Sequence, residues 1–247
     1  MTRMNKPDFS IVVPCYNEAE NLTSLLERFS KVIADKNIEL VLVNNGSTDN
    51  SAALLKKLDL QYNFIHLVNI EINQGYGHGI LTGLRQAEGD VLSWTHADLQ
   101  TDPQDVIDGY NLLLKQPSIK SCYLKGDRKG RPLMDQFFTF GMSLFETVFL
   151  KHVLWDINAQ PNIFHRSFFD KWQSLAPNDF SLDLYVLYMA KHLKLKVLRF
   201  AVMFPERIHG CSSWNTGFES KWKFIKRTIT FSFSLKKELK NDPLYRS

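Results

Sequence analysis

The chain alternates short apolar runs with amphipathic stretches. Phe9 to Pro14 (Phe-Ser-Ile-Val-Val-Pro) is a β-branched apolar run that predicts a first buried strand. Leu22, Leu25, Leu26, Phe29 and Ile33 then recur at helical spacing, with Asn17 placed to cap a helix ending near Ala34. Glu39 to Val43 predicts a second strand and Ser51 to Leu58 a second helix. Phe64 to Val68 predicts a third strand, and the glycine-rich segment 73–79 opens a third helix to about Ala87. A fourth strand starts at Val91 and a fourth helix runs from Pro103 to about Leu114. This rhythm predicts an α/β fold with a Rossmann-like, mostly parallel sheet and helices on both faces.

Further on the pattern loosens. Ser121 to Leu124 and Asn162 to His165 predict short strands, and Lys196 to Phe204 a longer one. Arg128 to Pro132 is a basic turn, Leu133 to Leu150 an aromatic-rich helix, and Leu182 to His192 another helix. In the tail, Phe218, Trp222, Ile225 and Ile229 make a helical stripe, whereas Ile229, Phe231, Phe233 and Leu235 alternate like a strand. We read Phe218 to about Leu239 as one amphipathic helix, either packed on the domain or lying on an anionic membrane. With no repeat or low-complexity linker, residues 1–247 are expected to form one domain with an elaborated second half.

Composition adds two things. The net charge of +4 is uneven: from Gly217 to Ser247 eight Lys or Arg stand against three Asp or Glu, so the basicity belongs to the tail. Cys15, Cys122 and Cys211 are widely spaced, with neither metal-ligand spacing nor a disulfide framework, which suits a reducing cytoplasm. The start of the chain shows no signal-peptide core, and no run of 18 or more apolar residues exists. The expectation is a cytoplasmic protein, either free or in peripheral contact with the cytosolic face of a membrane through the tail; nucleic acid is not an expected partner.

The candidate chemistry lies at strand ends. The run Val91 to Trp94 stops at Thr95-His96-Ala97-Asp98-Leu99-Gln100. Asp98 and Gln100 are two apart, so an extended segment points both the same way, and both offer oxygen, as hard divalent cations prefer. In isolation Asp98 is simply a loop cap. Parallel strands, however, bring Tyr16, Asn17, Glu18, Asn44, Asn45, Asp49 and Asp98 to one edge, where open α/β sheets bind ligands.

Four segments together (Val12-Val13-Pro14-Cys15-Tyr16-Asn17-Glu18, Val43-Asn44-Asn45-Gly46-Ser47-Thr48-Asp49, Asn73-Gln74-Gly75-Tyr76-Gly77 and Ala97-Asp98-Leu99-Gln100) resemble the family 2 glycosyltransferases of GT-A fold, most closely the polyprenyl- and dolichyl-phosphate sugar transferases. Pro205 to Trp214 is similar to the R-x-x-G-x-S-[KS]-W segment of that branch. The resemblance implies a nucleotide-sugar-binding half at about 8–116, an acceptor half at about 117–216 and a basic tail at about 217–247. It implies inverting, metal-dependent transfer of a sugar from a nucleotide-sugar donor to a lipid-phosphate or glycolipid acceptor in surface-glycan synthesis. A soluble transferase with a saccharide acceptor, or a nucleotide-sugar-binding protein without turnover, are the alternatives.

The resemblance also assigns residues. Pro14, Tyr16, Asn17, Glu18, Asn44, Gly46, Ser47, Gly75, Gly77, His96 and Ala97 fall at the donor. Tyr16 offers a ring face, Glu18 a carboxylate, and Asn44 an amide that both donates to and accepts from a base edge. Gly75, Gly77 and Gly79 allow close backbone approach where free helix N–H groups favour phosphate. Asp98 and Gln100 match the Mg²⁺ or Mn²⁺ positions and Arg207 a phosphate-contacting arginine. The chain departs from the family at Asn44-Asn45, where Asp-Asp is usual, at His96, where Asp is usual, and at Ser213. His96 is read as a ribose contact, a metal ligand or a loop cap.

For a sugar acceptor a general base is needed; Asp183 is the first candidate and Asp179 the second, each also readable as a helix cap. For a lipid phosphate, Arg128 and Arg131 can hold the anion, with Phe137, Phe138, Phe140, Phe145 and Phe149 near the lipid or, alternatively, in the core. Asp156 is an acceptor-site candidate.

Overall fold

The structure is a computed structural model that describes residues 6–131, 133–205 and 218–241. The first half is the alternation the sequence predicts. Strands β1 (Phe9–Cys15), β2 (Ile38–Asn45), β3 (Ile65–Ile70) and β4 (Val91–Trp94) alternate with helices α1 (Ala19–Ile33), α2 (Ser51–Asp59) and α3 (Tyr76–Gln86), and α4 (Pro103–Leu114) follows. The second half contributes β5 (Cys122–Lys129), α5 (Leu133–Leu150), β6 (Asn162–His165), α6 (Arg166–Trp172), α7 (Leu182–His192), β7 (Lys196–Met203) and α8 (Phe218–Asn241).

The seven strands form one sheet in the order β3-β2-β1-β4-β6-β5-β7. The first four are mutually parallel, β6 runs antiparallel to both β4 and β5, and β7 is parallel to β5. The register sets Cys15 beside Asn44, Asn44 beside Asn69 and Val12 beside Trp94, so the loops after β1, β2 and β4 open on one edge. Strand order reverses at β1, which places a ligand crevice between the β1 and β4 loops.

Strand alternation divides the core in two. Phe9, Ile11 and Val13 face α1 and α4 through Leu22, Leu26, Phe29 and Val106. Val12, Val43 and Trp94 face α3, α6 and α7 through Ile80, Leu84, Phe168, Trp172 and Tyr185. The helical stripe expected on α1 is the buried one, joined by Asn21.

Several local expectations change. Asn17 does not cap α1: it sits at φ +57°, Glu18 takes the cap position, and the Asn17 side chain turns to the neighbouring loop. The basic turn starts later than expected, because Arg128 and Lys129 pair with Val202 and Met203 as the end of β5. Helix α6 was unforeseen; seven residues are too few to show periodicity, and the His165 ring caps it by accepting from the Ser167 N–H at 3.1 Å. The described part of the tail, Phe218–Asn241, is one helix. Thr228, Ser232 and Leu235 are its buried side, at helical spacing, and Ser232 Oγ meets the buried Glu146 carboxylate of α5 at 2.7–2.8 Å. Helix packing decides here between two patterns that sequence periodicity leaves open. No described helix is long and apolar enough to cross a membrane.

Candidate active site

The β1 and β2 loops hold each other. Asn17 Oδ1 accepts from the Thr48 N–H at 2.8 Å and the Asp49 N–H at 3.3 Å. The Asn17 N–H donates to Ser47 Oγ at 3.2 Å, and the Glu18 N–H to Ser51 Oγ at 2.9 Å. Asp49 returns a contact by accepting from the Ala19 N–H at 3.3 Å. Pro14 is partly exposed near the end of β1, and Tyr16 is 45% exposed at the rim. Glu18 accepts from Asn21 Nδ2 at 2.7 Å.

Asn44 is buried below this rim. Its amide donates to Asn69 Oδ1 at 3.3 Å, and its oxygen accepts from the Ser47 N–H at 3.2 Å. A carboxylate here would have no hydrogen to give Asn69. Gly46, at φ +68°, turns the chain where a side chain would strike the backbone of Asn73 at 2.4 Å.

The glycine loop differs from its expected use. A Cβ on Gly77 would lie 2.6–2.7 Å from backbone atoms of Pro177, Asn178 and Asp179, and one on Gly75 would lie 2.6 Å from the Asn178 carbonyl. The His78 N–H donates to that carbonyl at 2.9 Å. These two glycines therefore admit the chain's own segment 177–179 to the start of α3, and part of the amide cluster expected to face phosphate is already engaged.

The β4 loop carries the metal candidates. Leu99 has φ +61°, and Asp98 Oδ1 accepts from the Gln100 N–H at 3.2 Å. Asp98 and Gln100 are thus joined by a turn, not by strand alternation as the sequence suggests. Gln100 Nε2 donates to the Pro205 carbonyl at 2.9 Å. Thr95 and Thr101 close the base of the loop through their hydroxyls at 2.9 Å. Ala97 and Asp98 are buried, His96 half-buried. Among the described residues no three His, Cys, Asp or Glu side chains gather in metal-ligating geometry. One carboxylate and one amide fit Mg²⁺ or Mn²⁺, which take few protein oxygens and complete their shell with phosphate and water.

Sequence reasoning missed Tyr76, which ties this loop to the second half. Its ring stacks on Phe180 at 4.7 Å and 6° and faces the His96 ring at 6.0 Å. Its hydroxyl accepts from Gln160 Nε2 at 3.1 Å. Burial, then the charge and hydrogen bond of Asp183, push its pKa well above the usual phenol range. The Arg227 guanidinium of α8 lies 4.9 Å over the Phe180 ring. The only sequence signal for Tyr76 was its place inside the glycine loop.

Asp183 lies in the first turn of α7, not at its cap, and is 3% exposed. Its Oδ1 accepts from Gln160 Nε2 at 3.1 Å, Asn162 Nδ2 at 3.2 Å and Lys125 Nζ at 3.4 Å. The capping reading therefore fails for Asp183. Asp179 does not cap α7 either: Ser181 holds the cap position, and Asp179 Oδ1 accepts from the Ser181 N–H at 2.8 Å in the turn before the helix. Lys125 is fully buried and also donates to Ala159 O at 2.8 Å and Asn162 Oδ1 at 2.6 Å. Burial lowers its pKa to about 7, with Asp183 pulling the other way.

A second charged cluster sits at the root of α5. Asp156 Oδ1 takes Arg128 Nε at 3.0 Å and Arg131 Nη2 at 3.6 Å. Burial would raise the Asp156 pKa, but these two guanidinia outweigh it and hold the carboxyl below its usual range. Arg199 backs the cluster, donating to Gly126 O at 2.8 Å. Arg131 Nη1 reaches Thr139 of α5 at 2.9 Å. Of the aromatic set on α5, Phe137 is 71% exposed and Phe140 is also exposed. Phe145 and Phe149 stack at 5.5 Å, and Phe149 packs on Phe233. The core alternative thus fails for the first two. Arg207, Ser213 and the Phe138 side chain lie outside the described residues.

Residues 10–172 match the model of a family described as glycosyl transferase family 2. Undecaprenyl-phosphate 4-deoxy-4-formamido-L-arabinose transferases of Proteus mirabilis (strain HI4320) and Yersinia enterocolitica serotype O:8 are 40% and 38% identical over 102 and 101 residues. Each alignment covers 39% of this chain, which spans 31% of the length of these curated relatives. Among solved structures, glucosyl-3-phosphoglycerate synthase of Mycobacterium tuberculosis, in complex with Mn²⁺, uridine diphosphate and phosphoglyceric acid, superimposes with a TM-score of 0.71 at 16% identity, over 90% of this chain and 76% of that one. A mannosyltransferase of Pyrobaculum calidifontis, in complex with GDP-Man and Mn²⁺, gives 0.65 at 17% identity, over 96% and 66%. At such identities the likeness shows the fold, which is GT-A.

Proposed function

The chain belongs to glycosyl transferase family 2, and on that premise we propose that it is an inverting, metal-dependent transferase. It moves a sugar from a nucleotide-sugar donor to a lipid-phosphate acceptor in surface-glycan synthesis. The nucleoside lies against Tyr16, Asn17, Glu18, Asn44 and Ser47, and the diphosphate lies toward His96, Asp98 and Gln100. Asp98 and Gln100 hold Mg²⁺ or Mn²⁺, which when bound neutralises charge on the leaving diphosphate. A phosphate acceptor is already anionic, so no strong base is required. Asp183, tied on one oxygen by three donors, serves better as a fixed charge than as a proton acceptor.

The observation that carries the lipid-phosphate reading is at α5. Arg128 and Arg131 converge on the Asp156 carboxylate at the root of the helix, where two guanidinium forks suit a phosphate. From there Phe137, Phe140, Leu144 and Val148 form an exposed apolar stripe along one face. Gly141, Leu144, Phe145, Val148 and Phe149 line an open apolar depression of about 380 Å³ on the same helix. An anion site continuous with an apolar face suits a phosphate carrying a hydrocarbon chain. Trp222 and Phe233 expose further apolar surface on α8 beside Lys226 and Lys237, which supports peripheral contact with an anionic membrane. The curated relatives are named for undecaprenyl phosphate, in agreement with this reading.

The test is transfer of radiolabelled sugar from a panel of nucleotide sugars with Mn²⁺, offering polyprenyl phosphate or a saccharide. Label is expected in the organic phase, and Asp98→Ala is expected to abolish it. Label found only on the saccharide overturns the lipid acceptor. Donor binding without turnover on either acceptor overturns the transferase.

A further inference from the structure

The second half of the chain buries a lysine for which the proposed chemistry has no direct use. Lys125 lies in β5 between the sheet and the start of α7, with no exposed surface. A buried ammonium is costly unless every proton is matched. Here Nζ has three acceptors from three places in the chain: Ala159 O, Asn162 Oδ1 and Asp183 Oδ1. Asn162 and Gln160 donate to the same Asp183 oxygen, and Asn162 also donates to Gln160 Oε1 at 2.5 Å. Gln160 in turn donates to the Tyr76 hydroxyl. The network therefore runs from a buried charge to a residue whose ring faces His96, two positions before Asp98.

We propose that Lys125 is a positioning residue of the transfer reaction, fixing Asp183 and Gln160 and, through them, the Tyr76 hydroxyl beside His96 and Asp98. Lys125 touches neither donor nor acceptor. It acts at the join of the two halves, where β5, β6, α7 and the start of α3 meet. Without its charge Asp183 keeps two amide donors and the Tyr76 hydrogen bond but loses the ion pair it makes among the described residues, and the cheapest relief is protonation or rotation of its carboxyl. Either event changes the partner that the Tyr76 hydroxyl faces. The proposal rests on the reading that the His96–Asp98 loop holds the donor diphosphate.

The experiment is a double-mutant cycle in the full chain with Lys125→Met and Tyr76→Phe, together with the tyrosine ¹³Cζ NMR signal that Tyr76→Phe identifies by its loss. Lys125→Met is expected to lower kcat at least 10-fold with donor KM changed less than 2-fold. Tyr76→Phe is expected to do the same, and the pair to be no worse than the poorer single variant. Lys125→Met is also expected to shift the Tyr76 ¹³Cζ signal. Multiplicative losses, an unchanged kcat, or an unmoved signal overturns the proposal. Lys125→Gln, which keeps a donor without charge, replaces Lys125→Met if the latter does not fold. The NMR arm needs no turnover: if the wild type transfers no sugar, the donor reading fails, and the signal still decides whether Lys125 positions Tyr76.

Discussion

The N–H of His78 donates to the carbonyl of Asn178 at 2.9 Å, so the chain's own segment 177–179 closes the first turn of α3. Gly77 is the point of closest approach, where a Cβ would meet three backbone atoms at 2.6–2.7 Å. Backbone cannot rotate away as a side-chain end can. Gly77→Ala is expected to destabilise the protein by at least about 1–3 kcal/mol, and thermal unfolding measures it. Gly141→Ala has the opposite sign: nothing lies within 4 Å of that Cβ, and α5 there is an exposed helix. A gain of up to about 1 kcal/mol is expected. A loss at Gly141 would show that α5 is covered in solution.

Asp98 provides the one carboxylate of the β4 loop turn, beside Gln100. Asp98→Asn keeps the turn acceptor and removes the charge. Mn²⁺ affinity in the presence of a nucleoside diphosphate, read by calorimetry, is expected to fall at least 10-fold, with the thermal midpoint nearly unchanged. Equal affinity would move the metal away from Asp98.

The α5 face can be tested apart from catalysis. Replacing Phe137 and Val148 with Ser leaves the buried side of the helix intact, since both side chains are about 70% exposed. Flotation with vesicles containing anionic lipid is expected to fall sharply, with folding unaffected. Undiminished flotation would place the contact elsewhere, on α8 first.

Glu146 predicts a pH dependence of stability. Burial pushes its carboxyl from 4.5 up to about 7, with the Ser232 hydrogen bond pulling back. The folded state therefore holds a proton that the unfolded state releases. Its contribution is complete below pH 4.5 and is lost as pH rises to about 7, by about 3 kcal/mol at most. Glu146→Gln removes that loss. Its midpoint is expected to exceed that of the wild type at pH 8 and to converge with it near pH 4.5. Parallel midpoints across this range would show that Glu146 does not titrate between α5 and α8.

By itself the sequence determined the alternation of β1 to β4 with their helices, because each burial face repeats at a local period of two or three to four residues. It determined the strand-end placement of Tyr16, Asn44 and Asp98 for the same reason: where an apolar run stops, a loop begins, and parallel strands align their loops. Tertiary structure decided what no local period encodes. It gave Asn17 to Thr48 and Asp49 instead of to its own helix, because a partner 31 residues away lies beside it only in the folded sheet. It spent Gly75 and Gly77 on segment 177–179, turned Asp98 and Gln100 through Leu99, and made the tail helical by burying Ser232 against Glu146. It also buried Lys125 against Asp183, a pairing across 58 residues made when β5 and α7 pack together.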